Sequence, residues 1–319
     1  MSVAKNHPAV SVVLPVFNAE RFLGEAIDST LIQTFADLEL IAVDDGSTDR
    51  SLEILYDYES RDERVRVIAR SHTGIVGARN DGIKAARGRY VAALDNDDAM
   101  YPTRLAEQVG FLEDQEHVVA VGAAALLVDI DGDPLIDRHL ATAADRIEEE
   151  LLNGRNPMMQ PGVLFRRDTL LEIGGYRESC NYSEDYDLFL RLSERGELRN
   201  LDQVLLKHRQ HLNRASVSQY EQQRQVVVES LTEAYQRRGM VRPFPKIEAA
   251  WHPNTPAGYH IRCASDAWDG DNLATVRKHA FALWKLRPWS LRPLELYSRT
   301  VMGRRAYSIV EQIKAAIRG

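Results

Sequence analysis

The chain has 319 residues, of which 44% are hydrophobic and 27% charged, as in soluble proteins with one large domain plus an appendage, or with two domains. Its two cysteines, Cys180 and Cys263, lie far apart and outside any CxxC or Cys/His cluster, which argues against a disulfide framework and a zinc site. No stretch approaches the roughly 20 uninterrupted apolar residues of a membrane-spanning helix, and residues 1–8 have no signal-peptide core. We therefore expect a cytoplasmic protein.

The net charge of −7 is unevenly distributed along the chain. Residues 277–319 contain ten basic and two acidic side chains, a balance of +8, so that the rest of the chain carries −15. This asymmetry indicates a basic surface for an anionic partner. We do not expect that partner to be nucleic acid, because the acidic remainder of the protein would repel it.

The N-terminal part of the chain alternates between strand-like and helix-like patterns. Apolar, β-branched runs predict strands, and the stretches between them have helical periodicity or helix-capping residues. The predicted strands are 10–15, 38–43, 65–69 and 90–94, and the predicted helices are 21–33, 49–60 and 78–86. This rhythm indicates βαβ units and a largely parallel sheet.

Polar clusters follow three of these strands. They are Pro15-Val16-Phe17-Asn18, Asp44-Asp45 and Asp95-Asn96-Asp97-Asp98. Parallel strands place their carboxyl ends at one edge of the sheet, where α/β proteins bind ligands. We expect the three clusters to converge there.

The middle of the chain continues the mixed pattern, and its last third is helical. The predicted elements are a helix up to 114, strands at 118–124, 163–166 and 204–207, helices at 143–152 and from Ser183, and a hairpin at 128–135. The hairpin aspartates partly resemble a calcium loop but lack its terminal Glu, which favours turn chemistry. We place a domain boundary at 218, between a first domain at 1–218 and a helical C-terminal region at 219–319.

Two acidic pairs and one arginine are candidates for chemistry. Asp95 and Asp97 form a DxD pair that suits Mg²⁺ or Mn²⁺ together with phosphate oxygens, although aspartates are also common in turns. Glu184 and Asp185 lie in the first turn of a helix, where the helix dipole alone would favour them. Arg79 follows a glycine loop and could bind a diphosphate, or could be a solvated surface arginine.

Taken in order, the motifs resemble those of a known family. They are Pro15-Val16-Phe17-Asn18, Val43-Asp44-Asp45-Gly46-Ser47-Thr48-Asp49, Gly77-Ala78-Arg79-Asn80-Asp81-Gly82, Leu94-Asp95-Asn96-Asp97-Asp98, Gly174-Gly175-Tyr176 and Glu184-Asp185-Tyr186-Asp187-Leu188 with Arg191. This ordered set resembles the family-2 glycosyltransferases of the GT-A fold over roughly residues 9–218. The resemblance implies an α/β, Rossmann-like fold with a mostly parallel central sheet flanked by helices, followed by a C-terminal helical region.

The resemblance also implies an activity. It is the inverting transfer of a sugar from a nucleotide-diphosphate donor, UDP-linked in our prediction, to an acceptor hydroxyl, with a divalent Mn or Mg ion. The implied acceptor is a glycan or a lipid-linked molecule in surface polysaccharide or glycoconjugate synthesis.

The resemblance assigns a role to each candidate residue. On the donor side, Pro15 and Phe17 line the base pocket, Asp45 contacts the base with Asp44 beside it, Arg79 binds the nucleotide, Asp95 lies near the ribose, and Asn96 is the middle residue of the DxD motif. Asp97 is the implied metal ligand, with His211 approaching the metal or diphosphate and His208 as its rival. Asp185 is the implied catalytic base, and Gln160 and Glu184 are placed on the acceptor side.

Two other functions remain open, one that of a different enzyme and one that of a non-catalytic binding protein. A sugar nucleotidyltransferase would share the sheet, but it would normally show a GxGxR-like loop after the first strand, where this chain has Pro15 to Asn18. A non-catalytic nucleotide-sugar or membrane-surface binding protein would not need Asp97 and Asp185 together.

The C-terminal helices interleave aromatic, aliphatic and basic side chains. These include Trp284, Trp289, Leu291, Leu294, Tyr297 and Val301 with Arg287, Arg292 and Arg299. Such a region could lie peripherally on an anionic membrane, where lipid-linked acceptors are found, or could form a bundle packed on the catalytic domain. The oligomeric state is not predictable from these patterns.

Overall fold

The structure is a computed structural model that describes residues 7–212, 220–241, 243–245, 255–303 and 307. The described residues fall into two compact units. The first contains those within 1–125, 138–208 and 219–249, and the second those within 126–137, 209–218 and 250–319. The first unit thus includes a helix beyond position 218, and the boundary that the sequence suggested there stays a prediction.

The strands form a single mixed sheet. They are β1 (Val10–Val16), β2 (Leu38–Asp44), β3 (Val65–Ala69), β4 (Tyr90–Ala93), β5 (Ala99–Met100), β6 (Val118–Val128), β7 (Pro134–Arg138), β8 (Leu164–Arg166) and β9 (Glu197–Arg209). Their order is β3-β2-β1-β4-β8-β6-β9-β5, with β7 paired to β6. β3, β2, β1 and β4 are parallel to one another, whereas β8 runs antiparallel to both β4 and β6.

The parallel strands are the most apolar parts of the first unit. Every residue of β1, β2 and β4 is buried, as expected for strands covered on both faces of a parallel sheet. In the register of these strands, Val16 of β1 lies opposite Asp44 of β2, and Val13 lies opposite Ala93 of β4. The polar clusters that follow β1, β2 and β4 are therefore brought to one edge of the sheet.

Helices connect and cover the strands. They are α1 (Leu23–Leu31), α2 (Ser51–Arg61), α3 (Ile75–Ala85), α4 (Arg104–Asp114), α5 (Ala144–Leu152), α6 (Arg167–Glu172), α7 (Glu184–Leu192), α8 (Tyr220–Arg237), α9 (Pro256–Asp269), α10 (Leu273–Leu286) and α11 (292–303). Within the described ranges, none of these helices combines the length and the apolar character needed to cross a bilayer.

The predicted α/β fold is confirmed, with differences in detail. The strands predicted at 118–124 and 204–207 are parts of the longer β6 and β9, and the antiparallel pairing of β8 with β4 and β6 was not predicted. Ser183 precedes α7 as expected, but its hydroxyl donates to the carbonyl of Gln223 instead of capping the helix.

The second unit contains a cation supplied by the chain itself. In the turn between β6 and β7, Lys278 Nζ lies 2.6 Å from Asp129 Oδ2, 2.8 Å from Asp131 Oδ2 and 2.6 Å from Asp133 Oδ2. His279 Nε2 lies 3.0 Å from the same Asp129 oxygen. Burial of Asp129 opposes its ionisation, but hydrogen bonds with His279 and Lys278 hold its pKa far below the usual range. One ammonium group therefore contacts all three aspartates that partly resemble a calcium loop.

Lys278→Met should destabilise this turn, because it leaves the buried Asp129 beside two further carboxylates without their shared cation. We expect the free energy of unfolding to fall by about 2 kcal/mol, less than for a fully buried pair because the Lys278 side chain is partly exposed. Urea denaturation measures the loss. Lys84→Met is the matched control, since Lys84 is exposed and lies 3.8 Å from Asp81. Equal stability of the two variants would contradict the role of Lys278.

Candidate active site

The acidic segment after β4 is a tight turn anchored at its far end. The amide of Asp98 donates to the carbonyl of Asp95 at 3.2 Å, and the buried Asp98 Oδ2 lies 2.8 Å from Nδ1 of His208. Asn96 Nδ2 donates to the carbonyl of Pro15 at 3.0 Å and so ties the turn to β1. Asp95 and Asp97 remain partly exposed between these anchors. His208, the rival of His211, is thus a buried support of the turn.

Arg79 joins the acidic turn to the start of α7. Its Nη2 lies 2.9 Å from Asp95 Oδ1, and its Nη1 pairs with Glu184 Oε1. Both Arg79 and Glu184 are buried, at 6% and 8% exposure. Burial opposes the guanidinium charge, but Asp95 and Glu184 more than compensate and raise the pKa of Arg79 above its usual range. Three predicted site residues from distant parts of the sequence therefore form one ionic cluster.

Tyr176 supports Arg79 from one side. The guanidinium carbon lies 5.4 Å from the centre of the Tyr176 ring, within the range of a cation–π contact. Asn80 fixes the tyrosine backbone, because its side chain donates to the carbonyl and accepts from the amide of Tyr176 at 2.8 and 2.9 Å. Gly175 precedes it with a φ of +67°, and a Cβ there would lie 2.5 Å from Asn80 Oδ1. The Gly-Gly-Tyr motif thus provides the close approach that this arrangement needs.

Asp185 follows Glu184 in the first turn of α7 and has two defined hydrogen bonds. Its Oδ1 accepts from the amide of Tyr186 and its Oδ2 from Asn156 Nδ2, both at 2.8 Å. Burial and the neighbouring charge of Glu184 raise the pKa of Asp185 to about 6, while Arg79 and these hydrogen bonds limit the rise. A carboxylate with this pKa is ionised at neutral pH and is a stronger base than an ordinary aspartate.

The two aspartates at the end of β2 have different environments. Asp45 is buried, and its oxygens accept from the amides of Thr73 and Gly74 at 3.0 and 2.8 Å. Asp45 also contacts Arg70 and His72, so it fixes the loop before α3. Asp44 Oδ2 accepts from two amides of the following turn, but its buried Oδ1 has no hydrogen-bond partner among the described residues. The unsatisfied acceptor at this edge therefore belongs to Asp44, whereas the sequence had favoured Asp45 for contact with a base.

The other predicted residues surround this cluster. Phe17 is 44% exposed and stacks on His72, with ring centres 4.3 Å apart. Pro15 and Gln160 line the same small cavity as Arg79 and Asp95. Gln160 donates to the Tyr176 hydroxyl, and its buried Oε1 accepts no hydrogen bond within the described part of the chain. Apart from His211, the predicted residues thus lie at or beside one sheet edge.

Three site residues received no role from the sequence. Asn156 and His72 lie in irregular segments without a motif, and only their contacts to Asp185, Asp45 and Phe17 reveal them. Tyr176 belongs to the Gly-Gly-Tyr motif, and its position directly after two glycines, which indicates a close backbone approach, is the signal from which its role could have been inferred. His211 belongs to the second unit, and its contact with a metal or diphosphate stays a prediction.

Similarity to known proteins identifies the family. Residues 11–166 match the family described as Glycosyl transferase family 2. An uncharacterized glycosyltransferase of Haemophilus influenzae is 34% identical over 188 residues, which are 58% of this chain and 72% of that protein. This chain belongs to glycosyl transferase family 2. The protein is therefore a glycosyltransferase, as its motifs predicted.

Solved structures support the fold of this glycosyltransferase. S. aureus TarS 1–349 in complex with UDP-GlcNAc superposes with a TM-score of 0.57 at 18% identity and covers 91% of this chain and 90% of its own. Mannosyltransferase PcManGT from Pyrobaculum calidifontis, in complex with GDP-Man and Mn²⁺, gives a TM-score of 0.50 at 16% identity, with 99% and 82% covered. The GT-A type of fold predicted for the glycosyltransferase is confirmed.

The acidic turn of this family-2 enzyme fits a metal that is shared with a substrate. In the ranges that the structure describes, no three His, Cys, Asp or Glu side chains are grouped so that they could hold an ion alone. Mg²⁺ and similar ions, however, are commonly bound by one or two carboxylates together with substrate phosphates. Asp95 and Asp97 provide such hard oxygen ligands at the tip of β4.

A double-mutant cycle on Arg79→Met and Glu184→Gln should give a coupling energy of about 1–3 kcal/mol, because either single change leaves a buried charge without its partner. Urea denaturation of the four proteins measures it. The control cycle uses Arg50→Met and Glu53→Gln, an ion pair with both side chains about 70% exposed, for which we expect a much smaller coupling energy because water screens the two charges. Similar values in the two cycles would show that Arg79 does not hold Glu184.

Proposed function

We propose that this glycosyltransferase transfers a sugar, with inversion, from a UDP-linked donor to an acceptor hydroxyl, with the help of a divalent Mn or Mg ion. One observation carries the proposal: Arg79 contacts both Asp95 and Glu184, so the acidic turn and Asp185 lie at the same place. Donor-binding carboxylates and a general base are thereby brought together.

The donor site consists of the ends of β1, β2 and β4. The unsatisfied Asp44 Oδ1 is a suitable acceptor for a base N–H, and the exposed ring of Phe17 offers an apolar surface for the base. Asp45 acts indirectly in this proposal, by fixing the loop that carries His72. The TarS complex with UDP-GlcNAc agrees with a uridine donor, whereas the PcManGT complex contains GDP-Man.

The metal site in this proposal is formed by Asp97 together with Asp95. A bound divalent ion would neutralise negative charge on the donor diphosphate. The PcManGT complex contains Mn²⁺, which is compatible with either proposed ion. Arg79 adds a fixed positive charge at Asp95, so the site is not purely acidic even before a ligand binds.

Asp185 is the proposed catalytic base. The acceptor oxygen attacks the anomeric carbon, the bond from that carbon to the diphosphate oxygen breaks, and the hydroxyl proton passes to the Asp185 carboxylate. Asn156 and the amide of Tyr186 orient this carboxylate, and Glu184 raises its basicity. A single displacement inverts the anomeric configuration and needs no covalent enzyme intermediate.

The acceptor side is proposed to include Gln160 and Glu184. Gln160 Oε1, which has no hydrogen-bond partner among the described residues, can accept a hydrogen bond from a hydroxyl group of a glycan or lipid-linked substrate. Within this proposal the enzyme acts in the cytoplasm, in the synthesis of a surface polysaccharide or glycoconjugate. The chain's own residues do not define the sugar, so a panel of nucleotide sugars is needed to find the donor.

Asp185→Asn should lower turnover by about a thousandfold, because an amide cannot take the acceptor proton, while donor binding is kept. Product formation with the donor selected from the panel, and calorimetric titration of that donor, measure the two effects. Asp168→Asn is the matched control, because the Asp168 side chain is 97% exposed on α6. Turnover at the wild-type level in Asp185→Asn would favour another base or a non-catalytic binding function.

The pH profile of the wild type gives a second test of the base. Because Asp185 must be ionised, kcat/KM should fall about tenfold per pH unit below pH 6 and level off above it. Asn156→Ala removes a hydrogen bond to the ionised carboxylate, so the pKa and the acidic limb should move to higher pH. Asn153→Ala, with an amide that donates to the backbone of α5, should leave the limb in place.

Asp97→Asn should weaken the metal-dependent part of donor binding. At about 100 times the dissociation constant, a donor raises the wild-type stability by about 2.7 kcal/mol, and this gain should require Mn²⁺ or Mg²⁺. Thermal unfolding with donor, with and without metal, measures it, and Asp168→Asn again serves as the control. A wild-type donor affinity that is the same with and without either ion would rule out the metal role.

A further inference from the structure

Exposed apolar side chains are concentrated in one segment of the second unit. The described residues include seventeen large hydrophobic side chains that are exposed, and nine of them lie between 281 and 302. These nine are Phe281, Trp284, Leu286, Trp289, Leu291, Leu294, Tyr297, Val301 and Met302. Soluble proteins rarely expose so many apolar side chains close together unless the surface binds something.

The exposed side chains lie opposite a face that is already packed. In α10, Ala280 and Leu283 are buried, whereas Phe281 and Trp284 are exposed with their rings stacked 5.9 Å apart. In α11, Leu296 is fully buried. This unit therefore keeps its own core, and the exposed side chains are not needed to complete it.

The exposed residues of α11 form a regular stripe. Leu294, Tyr297 and Val301 are separated by three and four positions, which places them on one side of the helix. Their exposed fractions are between 50% and 69%. The helix thus has an apolar side facing solvent in addition to its buried side.

The connection between the two helices combines apolar and basic side chains. All residues from Trp284 to Trp289, with the sequence Trp-Lys-Leu-Arg-Pro-Trp, are exposed, and Trp289 is 98% exposed. Lys285 Nζ lies 4.5 Å from the centre of the Phe281 ring. Positive charge and aromatic surface are therefore presented together.

The charge of the segment is positive at its surface. Between 281 and 302 there are four basic residues and one acidic residue, Glu295. Glu295 is already neutralised by Arg292 at 2.7 Å and Arg299 at 2.9 Å. Glu295 is the only acidic residue between 281 and 302, so within this segment no second acidic side chain competes with an external anion for Lys285 and Arg287.

We propose that residues 281–302 form a docking surface for an anionic phospholipid bilayer. Tryptophan and tyrosine favour the headgroup region of membranes, and lysine and arginine next to them attract anionic headgroups. The surface also complements the charge of such a bilayer, because its four basic residues and one acidic residue give the segment a net charge of +3. This proposal does not depend on the proposed transfer reaction. Membership of glycosyl transferase family 2 does not by itself predict such a surface.

Flotation of the full-length protein with vesicles tests the proposal. Vesicles of phosphatidylcholine with about 30% phosphatidylglycerol should bind the protein at about 50 mM salt, and pure phosphatidylcholine should bind it much less. Lys285→Gln with Arg287→Gln should lower the partition coefficient about thirtyfold, since each basic residue contributes about 1 kcal/mol. The matched control is Arg61→Gln with Lys84→Gln, two exposed basic residues of the first unit.

A second pair of variants tests the aromatic side chains. Trp284→Ser with Trp289→Ser should lower the partition coefficient at least about tenfold and remove the blue shift of tryptophan fluorescence on vesicles. Ile32→Ser with Tyr56→Ser changes two other exposed apolar residues and should bind as the wild type does. Failure of the wild type to bind the anionic vesicles would overturn the proposal. So would wild-type binding by the tryptophan variant, or self-association through this segment without vesicle binding.

Discussion

A buried guanidinium between two carboxylates is the interaction on which the active site depends. Asp95 at the end of β4 and Glu184 at the start of α7 would repel each other in a partly buried environment, and Arg79 removes that repulsion by contacting both. The planar guanidinium does this with two different nitrogens, because Nη2 contacts Asp95 and Nη1 contacts Glu184. Segments that are 105 residues apart in sequence therefore meet at one point.

This bridge also distributes roles between neighbouring acids. Glu184 is used to hold Arg79, so its negative charge is fixed close to Asp185 and raises the basicity of that residue. Asp98 is used to hold His208, so the two preceding acidic side chains of the turn remain at its tip. In both pairs, one carboxylate is part of the framework, and its neighbour is the one to which the proposed function assigns a chemical role.

The parallel half of the fold could be predicted from the sequence because its strands are short apolar runs ending in polar clusters. The other half was predicted only as short strands at 118–124, 163–166 and 204–207, because polar residues such as Asp202 and Gln203 interrupt the apolar pattern of β9 and a strand pattern does not indicate the direction of its neighbours. The candidate site was predicted residue by residue from ordered motifs, but its contacts were not. The sequence could not show that both Asp45 oxygens accept hydrogen bonds from its loop while, among the described residues, Asp44 Oδ1 has no hydrogen-bond partner, because this depends on which backbone amides fold back toward each carboxylate.

The lysine among the three hairpin aspartates has a consequence for the way the protein responds to its ionic surroundings. Lys278 is a counter-ion that belongs to the same chain as the three aspartates it contacts, so dilution or a chelator cannot remove it. The fold of the hairpin is therefore independent of the supply of free divalent ions. Depletion of those ions would stop the proposed transfer reaction, yet it would leave this part of the molecule intact and ready to work when the ions return.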